Sequence, residues 1–365
     1  MKTLLSFRSA VIFGGAGFVG SNWAHHLLTN TDARVHIFDN LSRKGVHQNL
    51  DWLREKADPD RLKITVGDVR DAKLVERAVQ SATEIYHFAA QVAVTTSLAD
   101  PCSDFEVNAL GTLNVLEAAR KTARQPFLLY TSTNKVYGNL NSRQLVLTGR
   151  RYCSLDEKGV DESQPLDLYS PYGCSKGTAD QYVHDYSRMF GLPTVVFRMS
   201  CIAGQRQFGN EDQGWLAHFI YSALGEKPLR IYGDGRQVRD VLSVNDLVLA
   251  FEKVRAQLEK TAGQIYNVGG GIENSTSLLE VIDDIEQITG KKLRYSLHRP
   301  RPGDQLFYIT DFSKLRKHTG WKPAMNLKQT IESIYAWSKT RRMEIPLPIV
   351  PMPPRVMEQV PEAAS

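Results

Sequence analysis

The alternation of predicted strands and helices restricts the fold of this 365-residue chain more than any other sequence feature. Short apolar runs predict six strands: SAVIFGG, RVHIFDN, LKITVGDV, EIYHFAA, PFLLYTST and PTVVFRMS. Amphipathic stretches such as VGSNWAHHLLTN and SKGTADQYVHDYSRMFG separate several of these runs and predict helices. Right-handed crossovers join strands of this kind into one parallel sheet. The pattern therefore predicts an α/β fold with a doubly wound parallel (Rossmann) sheet.

The turn after the first predicted strand is rich in glycine. It fits two spacings, Gly15-x-Gly17-x-x-Gly20 and Gly14-x-x-Gly17-x-x-Gly20. Between a strand and a helix, such a turn lets the backbone approach a pyrophosphate, which the helix N-terminus then binds. We therefore predict a dinucleotide site at this turn. The alternative is a flexible loop that binds nothing.

Asp39 stands at the end of the second predicted strand, where a carboxylate can accept hydrogen bonds from the adenosine ribose. A carboxylate here repels a 2′-phosphate, which favours NAD over NADP. Arg43 and Lys44 keep NADP open, because either cation can bind such a phosphate. After the third strand, GDVRD places Asp68 and Val69 near the adenine, although Asp68 is equally suited to cap a helix.

The stretch SPYGCSKG contains a tyrosine and a lysine four residues apart, which share one face if the stretch is helical. The fifth strand ends in Ser132 and Thr133, and ligands of a doubly wound sheet bind beyond the carboxyl ends of its strands. We predict that Tyr172 takes the proton of a substrate alcohol while the Thr133 hydroxyl orients that alcohol. Lys176 is expected to bind the nicotinamide ribose and to lower the pKa of Tyr172. Taken alone, the tyrosine and lysine are better explained as unrelated helix residues, because this spacing is common by chance.

Composition argues against several classes of protein. No run of about 18 apolar residues is present, so no membrane span is predicted. The net charge of +5 is not gathered into a basic stripe with interleaved aromatic residues, so nucleic-acid binding is not expected. The four cysteines are scattered, without the spacing of a metal site or a disulfide framework. We therefore expect reduced thiols, no metal and a cytoplasmic location.

Over roughly residues 9–340 the chain resembles the extended short-chain dehydrogenase/reductase family, in GGAGFVG, HFAAQ, STNKVYG and Tyr-x-x-x-Lys. In FDNLSRKG, QVAVTTS, RQFGNEDQGW, GRQVRDVL and the long Asn139–Leu168 segment, it is similar to the family's 2-epimerases of CDP-linked deoxysugars. The resemblance implies an isomerase that keeps NAD bound and inverts sugar C2 through a 2-keto sugar. The implied cofactor-binding residues are Gly14, Gly17, Phe18, Val19, Gly20, Asp39, Asn40, Ser42, Arg43, Asp68, Val69, Ala89, Gln91, Asn108 and Lys176.

The same resemblance implies a nucleotide diphosphate sugar as substrate, with a CDP-sugar favoured. Arg239 and Arg301 would bind the diphosphate, since guanidinium groups make paired charged bonds to phosphate, and Asp304 would bind a ribose. Taken alone, each arginine is better explained as a solvated surface charge. Ser200 is the expected substitute for an asparagine that sister enzymes carry after the FR strand end. The implied substrate-binding residues are Thr95, Thr96, Ser97, Thr133, Asn134, Ser200, Gln207, Phe208, Arg239, Arg301 and Asp304, of which Thr95 to Ser97 could instead cap a helix.

Three regions are expected: an NAD-binding catalytic domain (1–199), a partly interleaved nucleotide-sugar region (200–340) and a disordered proline-rich tail (341–365). By analogy with the family, the helices FEVNALGTLNVLEAARK and SKGTADQYVHDYSRMFG would pair across a homodimer or homotetramer. Two other functions stay open. One is a 4-epimerase, or a 2-epimerase of another nucleotide sugar, and the other is a non-catalytic NAD-binding regulator.

Overall fold

The computed structural model describes residues 8–155 and 159–340, and the predicted tail 341–365 lies outside them. The strands are β1 (Ser9–Phe13), β2 (Arg34–Asp39), β3 (Leu62–Val66), β4 (Glu84–His87), β5 (Phe127–Thr133), β6 (Leu145–Thr148), β7 (Arg151–Ser154), β8 (Thr194–Met199), β9 (Cys201–Ala203), β10 (Leu229–Tyr232), β11 (Val238–Ser243), β12 (Gln264–Val268), β13 (Ser275–Ser277), β14 (Tyr295–His298) and β15 (Phe307–Tyr308).

The helices are α1 (Phe18–Asn30), α2 (Val46–Lys56), α3 (Ala72–Val79), α4 (Val94–Ala99), α5 (Pro101–Phe105), α6 (Gly111–Arg120), α7 (Ser170–Phe190), α8 (Trp215–Leu224), α9 (Val244–Arg255), α10 (Leu258–Thr261), α11 (Leu278–Thr289), α12 (Ser313–Thr319) and α13 (Leu327–Thr340). A π turn, Glu106–Leu110, joins α5 to α6, and a 3₁₀ turn, Asn134–Tyr137, follows β5. No described helix has both the length and the apolar composition needed to cross a bilayer.

A seven-stranded parallel sheet in the order β12-β8-β5-β4-β1-β2-β3 forms the centre of the fold. Every residue of β5 is buried, as expected for a parallel strand that helices cover on both faces. One apolar core lies under α1, α2 and α9, and a second lies under α3, α6 and α7. The predicted doubly wound parallel sheet is confirmed.

The seventh strand, β12, was not among the six predicted strands. It pairs with β8 although it comes from the second half of the chain, and α9 covers the sheet nearby. The later region also builds a small sheet around β11 and a third apolar core between α8, α11 and α13. The two halves of the chain therefore interleave, and the boundary after residue 199 stays a prediction.

The described parts of the Asn139–Leu168 segment form a hairpin, β6–β7, and a return path to α7. Arg151 on the hairpin pairs with Glu280 at 2.6 Å, near the start of α11. Further on, Val160 bridges to Thr310, and Leu168 packs against Gly177 of α7. This segment thus connects the catalytic strand end to the later region.

A buried ion pair fixes α7 to the sheet. The Arg198 guanidinium donates to both oxygens of Asp180, at 2.9 and 2.8 Å, and the two side chains are 4% and 0% exposed. Arg198 also donates to the Tyr137 hydroxyl at 3.0 Å, which in turn donates to Asn267 at 2.8 Å. The pair therefore links α7, β8, the turn after β5, and β12.

We predict that Asp180→Asn lowers the free energy of unfolding by about 3–5 kcal/mol, because it leaves a buried guanidinium without its counter-charge. Asp185→Asn is the matched control, since Asp185 pairs with Arg188 on the exposed face of the same helix. That variant should cost less than about 1 kcal/mol. Urea unfolding measures both, and similar losses for the two variants would contradict this role for the buried pair.

Candidate active site

The glycine turn takes the shape that a dinucleotide site requires. Gly14 has φ +77°, and a Cβ there would lie 2.6 Å from the backbone nitrogen of Ala89. A Cβ on Gly20 would overlap the carbonyl oxygen of Gly14. Helix α1 begins next to Gly17, which has no side chain to cap it, so its first N–H groups are free to bind an anion.

A cleft of about 570 Å³ extends from this turn across the carboxyl ends of the strands, a volume suited to a small-molecule ligand. The predicted cofactor-binding residues that line it are Gly14, Gly17, Phe18, Val19, Gly20, Asp39, Asn40, Ser42, Arg43, Asp68, Val69, Ala89, Gln91 and Lys176. Ser132 also lines the cleft, and its buried hydroxyl has no partner within the described protein. A glycine cradle, a free helix end and an unpaired hydroxyl together fit a dinucleotide such as NAD.

Two carboxylates lie at the expected adenosine end. Asp39 accepts from the backbone N–H groups of Ala16 and Leu41 at 3.0 and 2.9 Å, and burial raises its pKa. Hydrogen bonds from Arg70 hold the pKa of Asp68 at about 2. The alternative that Asp68 caps a helix is wrong, because Asp71 caps α3.

The Arg43 side chain lies between the expected adenosine end of the cleft and Tyr172. It donates a hydrogen bond to Gln213, and it lies near both Asp39 and Tyr172. Burial lowers the pKa of its guanidinium. Arg43 is one of the two cations that could bind the 2′-phosphate of NADP, and in the structure it also lies near Tyr172.

Tyr172 and Lys176 both lie on α7 and are buried, at 8% and 3% exposure. The Thr133 side chain lies close enough to the Tyr172 phenol to lower its pKa, and its hydroxyl donates to the Asn134 side chain at 3.4 Å. The Lys176 ammonium donates to the carbonyl of Thr131 at 2.7 Å and lies 4.2 Å from the centre of the Tyr130 ring. The structure thus brings together the tyrosine, lysine and threonine predicted from the sequence.

The pKa values at this centre follow from burial. Burial raises the pKa of Tyr172 to about 12, against the Thr133 side chain and the charge of Arg43, which lower it. Burial lowers the pKa of Lys176 to about 7. The prediction that Lys176 lowers the pKa of Tyr172 needs correction, because its ammonium is directed at a carbonyl and a ring, while Thr133 and Arg43 have that effect.

A buried polar network that the sequence did not reveal supports the catalytic helix. Asp104 accepts from Ser175, Gln91 and Asn108 at 2.5, 2.7 and 3.1 Å. Asn108 lies on the π turn and also donates to Ser175 at 3.0 Å. Asn108, predicted to bind the cofactor, therefore does not line the cleft but fixes the loop at Gln91 to α7. The PCSDFEVN stretch gave no sign that its aspartate would be buried.

Residues of the segment 205–213 line one part of the cleft. Arg206 lies 4.1 Å over the Trp52 ring and donates to Asn22 at 2.7 Å. Gln207 and Phe208 line the cleft, and the Phe208 ring packs against Gly45. The structure places these two residues in the lining of the cleft, and their contact with the substrate nucleotide stays a prediction.

The predicted diphosphate ligands lie in two charged clusters. Arg239 donates to Asp304 at 2.7 Å and to the Gln305 carbonyl at 2.5 Å. Arg301 lies 3.9 Å over the Tyr232 ring and 3.2 Å from the Asp212 carboxylate. Asp212 also accepts a hydrogen bond from Thr95 of α4, at 3.1 Å.

The remaining substrate candidates are placed differently from one another. Thr96 lines the cleft, but Ser97 is buried and accepts from the backbone N–H of Tyr172 at 3.1 Å. The helix-capping alternative for Thr95 to Ser97 is wrong, since Ala93 is the residue that precedes α4.

Ser200 donates to the Asp240 carboxylate at 2.5 Å, so its hydroxyl proton is already used within the protein. Asn134 donates to Gln305 at 3.1 Å.

A family model described as GDP-mannose 4,6 dehydratase matches residues 11–334 of the chain. The chain belongs to this family. Its sequence is 41% identical over 338 residues to CDP-paratose 2-epimerase of Salmonella typhi, covering 90% of this chain and 99% of that protein. It is 31% identical over 330 residues to a putative UDP-glucose 4-epimerase of Methanocaldococcus jannaschii, covering 90% and 98%.

A solved structure also matches the whole fold. DesIV, a dTDP-glucose 4,6-dehydratase of Streptomyces venezuelae with NAD and TYD bound, gives a TM-score of 0.79 at 28% identity, covering 92% of this chain and 98% of that one. The resemblance inferred from the motifs is thereby confirmed at the level of the family. Because family members with different reactions share the fold, the reaction has to be argued from the site.

Proposed function

We propose that this protein is an NAD-dependent epimerase that inverts C2 of a CDP-linked deoxysugar, converting CDP-paratose to CDP-tyvelose. The observation that carries the proposal is the buried Tyr172 phenol, which lines a cleft shaped for a dinucleotide together with Lys176 and has Thr133 close enough to lower its pKa. The 41% identity to a CDP-paratose 2-epimerase over nearly the whole chain supports the choice of sugar and carbon.

Each catalytic residue has a defined task in this reaction. Tyr172 accepts the proton of the C2 hydroxyl, and the Thr133 hydroxyl orients that oxygen and stabilises the developing carbonyl. Lys176 binds the nicotinamide ribose. NAD, when bound, accepts the hydride of C2 and returns it, and its positively charged ring favours the ionised form of the nearby phenol. The ketone turns within the pocket between the two steps, and Tyr172 returns the proton.

The surroundings of Thr133 favour epimerisation over loss of water. A dehydratase has to remove a proton from carbon and protonate the departing hydroxyl. The residues that follow Thr133 are an asparagine and a lysine. The described carboxylates lining the cleft are Asp39, Asp68 and Asp212, and each is already engaged by backbone N–H groups or by an arginine.

The alternatives to this proposed function are a 4-epimerase, a 2-epimerase of another nucleotide sugar, and a non-catalytic NAD-binding regulator.

A homodimer is the assembly that the surface supports best. Phe105 and Leu110, on the helix that contains the π turn, are 54% and 41% exposed, and Met189 and Phe190 at the end of α7 are 68% and 45% exposed. These two helices pack side by side, so a second copy of the chain would cover apolar side chains on both.

Tyr172→Phe should have the same stability as the native protein and retain bound NAD. Its turnover of CDP-paratose should fall at least about a hundredfold, because only the proton acceptor is removed. Tyr182→Phe is the matched control, since Tyr182 lies on the exposed side of the same helix. We expect that control to turn over normally. Comparable turnover in both variants would remove Tyr172 from the mechanism.

A label at C2 tests which carbon reacts. Hydride transfer to and from one bound NAD keeps the migrating hydrogen on the sugar, whereas proton removal beside a carbonyl loses it to water. With CDP-paratose deuterated at C2, we expect CDP-tyvelose that retains the deuterium at C2, as measured by NMR. In heavy water, unlabelled sugar should gain no deuterium on carbon.

The contrary outcomes separate the alternatives. Solvent deuterium at C2 would exclude transient oxidation at that carbon. Inversion at C4 of a nucleotide sugar, with C2 untouched, would support the 4-epimerase. Protein that binds NAD but exchanges hydride with no nucleotide sugar would support the regulator.

A further inference from the structure

Lys135 lies two residues after the catalytic threonine, and the sequence gave it no role. Its side chain is 20% exposed and reaches the loop that carries Arg301 and Asp304. The ammonium donates to the carbonyl of Gly303 at 3.0 Å and lies 3.6 Å from the Asp304 carboxylate. The same carboxylate oxygen accepts from Arg239 at 2.7 Å.

The charges of this cluster do not balance. Two cations, Lys135 and Arg239, share the single carboxylate of Asp304. Burial and, after it, the charge of Arg239 lower the pKa of Lys135 to about 8, against the opposing effects of Asp304 and the nearby Cys201 thiol. An additional anion placed between the two cations would stabilise both.

The cluster is held against the turn that follows Thr133. The loop that contains Asp304 is docked on the turn after β5, because Asn134 donates to Gln305 at 3.1 Å and Gln305 donates to the carbonyl of Gly138 at 2.6 Å. Lys135 is therefore held close to Thr133. In a nucleotide sugar, C2 adjoins C1, which carries the diphosphate, whereas C4 lies across the ring.

We propose that Lys135 binds the sugar-side phosphate of the substrate's diphosphate and thereby places C2, rather than C4, against Tyr172. The proposal deepens the proposed function and rests on it for the identity of the sugar. Arg239 supplies the second cation, and Asp304 keeps the two positive groups in place before the phosphate binds.

Calorimetric binding of CDP and CMP to the NAD-containing protein tests this contact, because only CDP carries the sugar-side phosphate. For Lys135→Gln we expect CDP binding to weaken about 10- to 100-fold, the range for losing one charged hydrogen bond, with CMP binding unchanged. Lys314→Gln is the matched control. Lys314 is also a half-buried lysine whose ammonium donates to a backbone carbonyl, that of Ile265, at 2.9 Å, and it lies on α12. Equal weakening of CDP and CMP by Lys135→Gln, or no weakening of CDP, would overturn the proposal.

The pH dependence of binding separates charge from packing. Lys135 is protonated below a pKa of about 8, so affinity of the native protein for CDP should fall as the pH rises above 8. Lys135→Arg should bind CDP without that fall, because a guanidinium stays charged. Asp304, Arg239 and Cys201 face the same site and are unchanged in the variant. The same fall in the arginine variant would count against Lys135.

The nucleotide base is tested separately. If the native protein prefers UDP or dTDP over CDP, the CDP assignment is wrong, and the diphosphate-to-monophosphate comparison with the preferred base decides the role of Lys135. If it binds no nucleoside diphosphate, both the proposed function and this inference fail.

Discussion

The buried pair of Arg198 and Asp180 is the interaction on which the catalytic arrangement depends. Asp180 lies one helical turn beyond Lys176 on α7, and Arg198 lies near the end of β8, so their contact sets the height of α7 over the sheet. Through Tyr137 and Asn267 the same pair reaches the turn after Thr133 and the strand β12. A shift of α7 would break hydrogen bonds between groups that have no access to water, which is why the catalytic helix has one position.

Burial gives the catalytic centre its electrostatic character. It raises the pKa of Tyr172 to about 12 and lowers that of Lys176 to about 7, so it favours the uncharged form of both side chains. The carboxylates of Asp180 and Asp104 oppose this effect on Lys176, while Asp104 adds to it on Tyr172. Burial thus favours a neutral Tyr172, and a positive charge brought into the cleft would favour its ionised form.

The features that the sequence predicted correctly are those that depend on residues close together in the chain. The glycine turn, the strand–helix alternation and the tyrosine–lysine spacing each depend on residues close in sequence, and the structure has all three. The seventh strand could not be predicted, because its place beside β8 is decided by tertiary pairing across the chain. The burial of Asp104 was missed for the same reason. It depends on partners on other elements, Gln91 and Ser175, and no period or motif records such contacts.

The turn after β5 joins the two halves of the chain. Relatives named for different reactions match this chain on one fold, so the fold by itself does not select the carbon that reacts. In this chain Asn134 and Lys135 follow the threonine directly, and both contact the loop around Asp304. We infer that a diphosphate bound at Lys135, two residues beyond Thr133, brings the carbon next to C1 to the Thr133 hydroxyl. The contact of Lys135 with the Asp304 loop is therefore the feature on which our assignment of C2 rather than C4 depends.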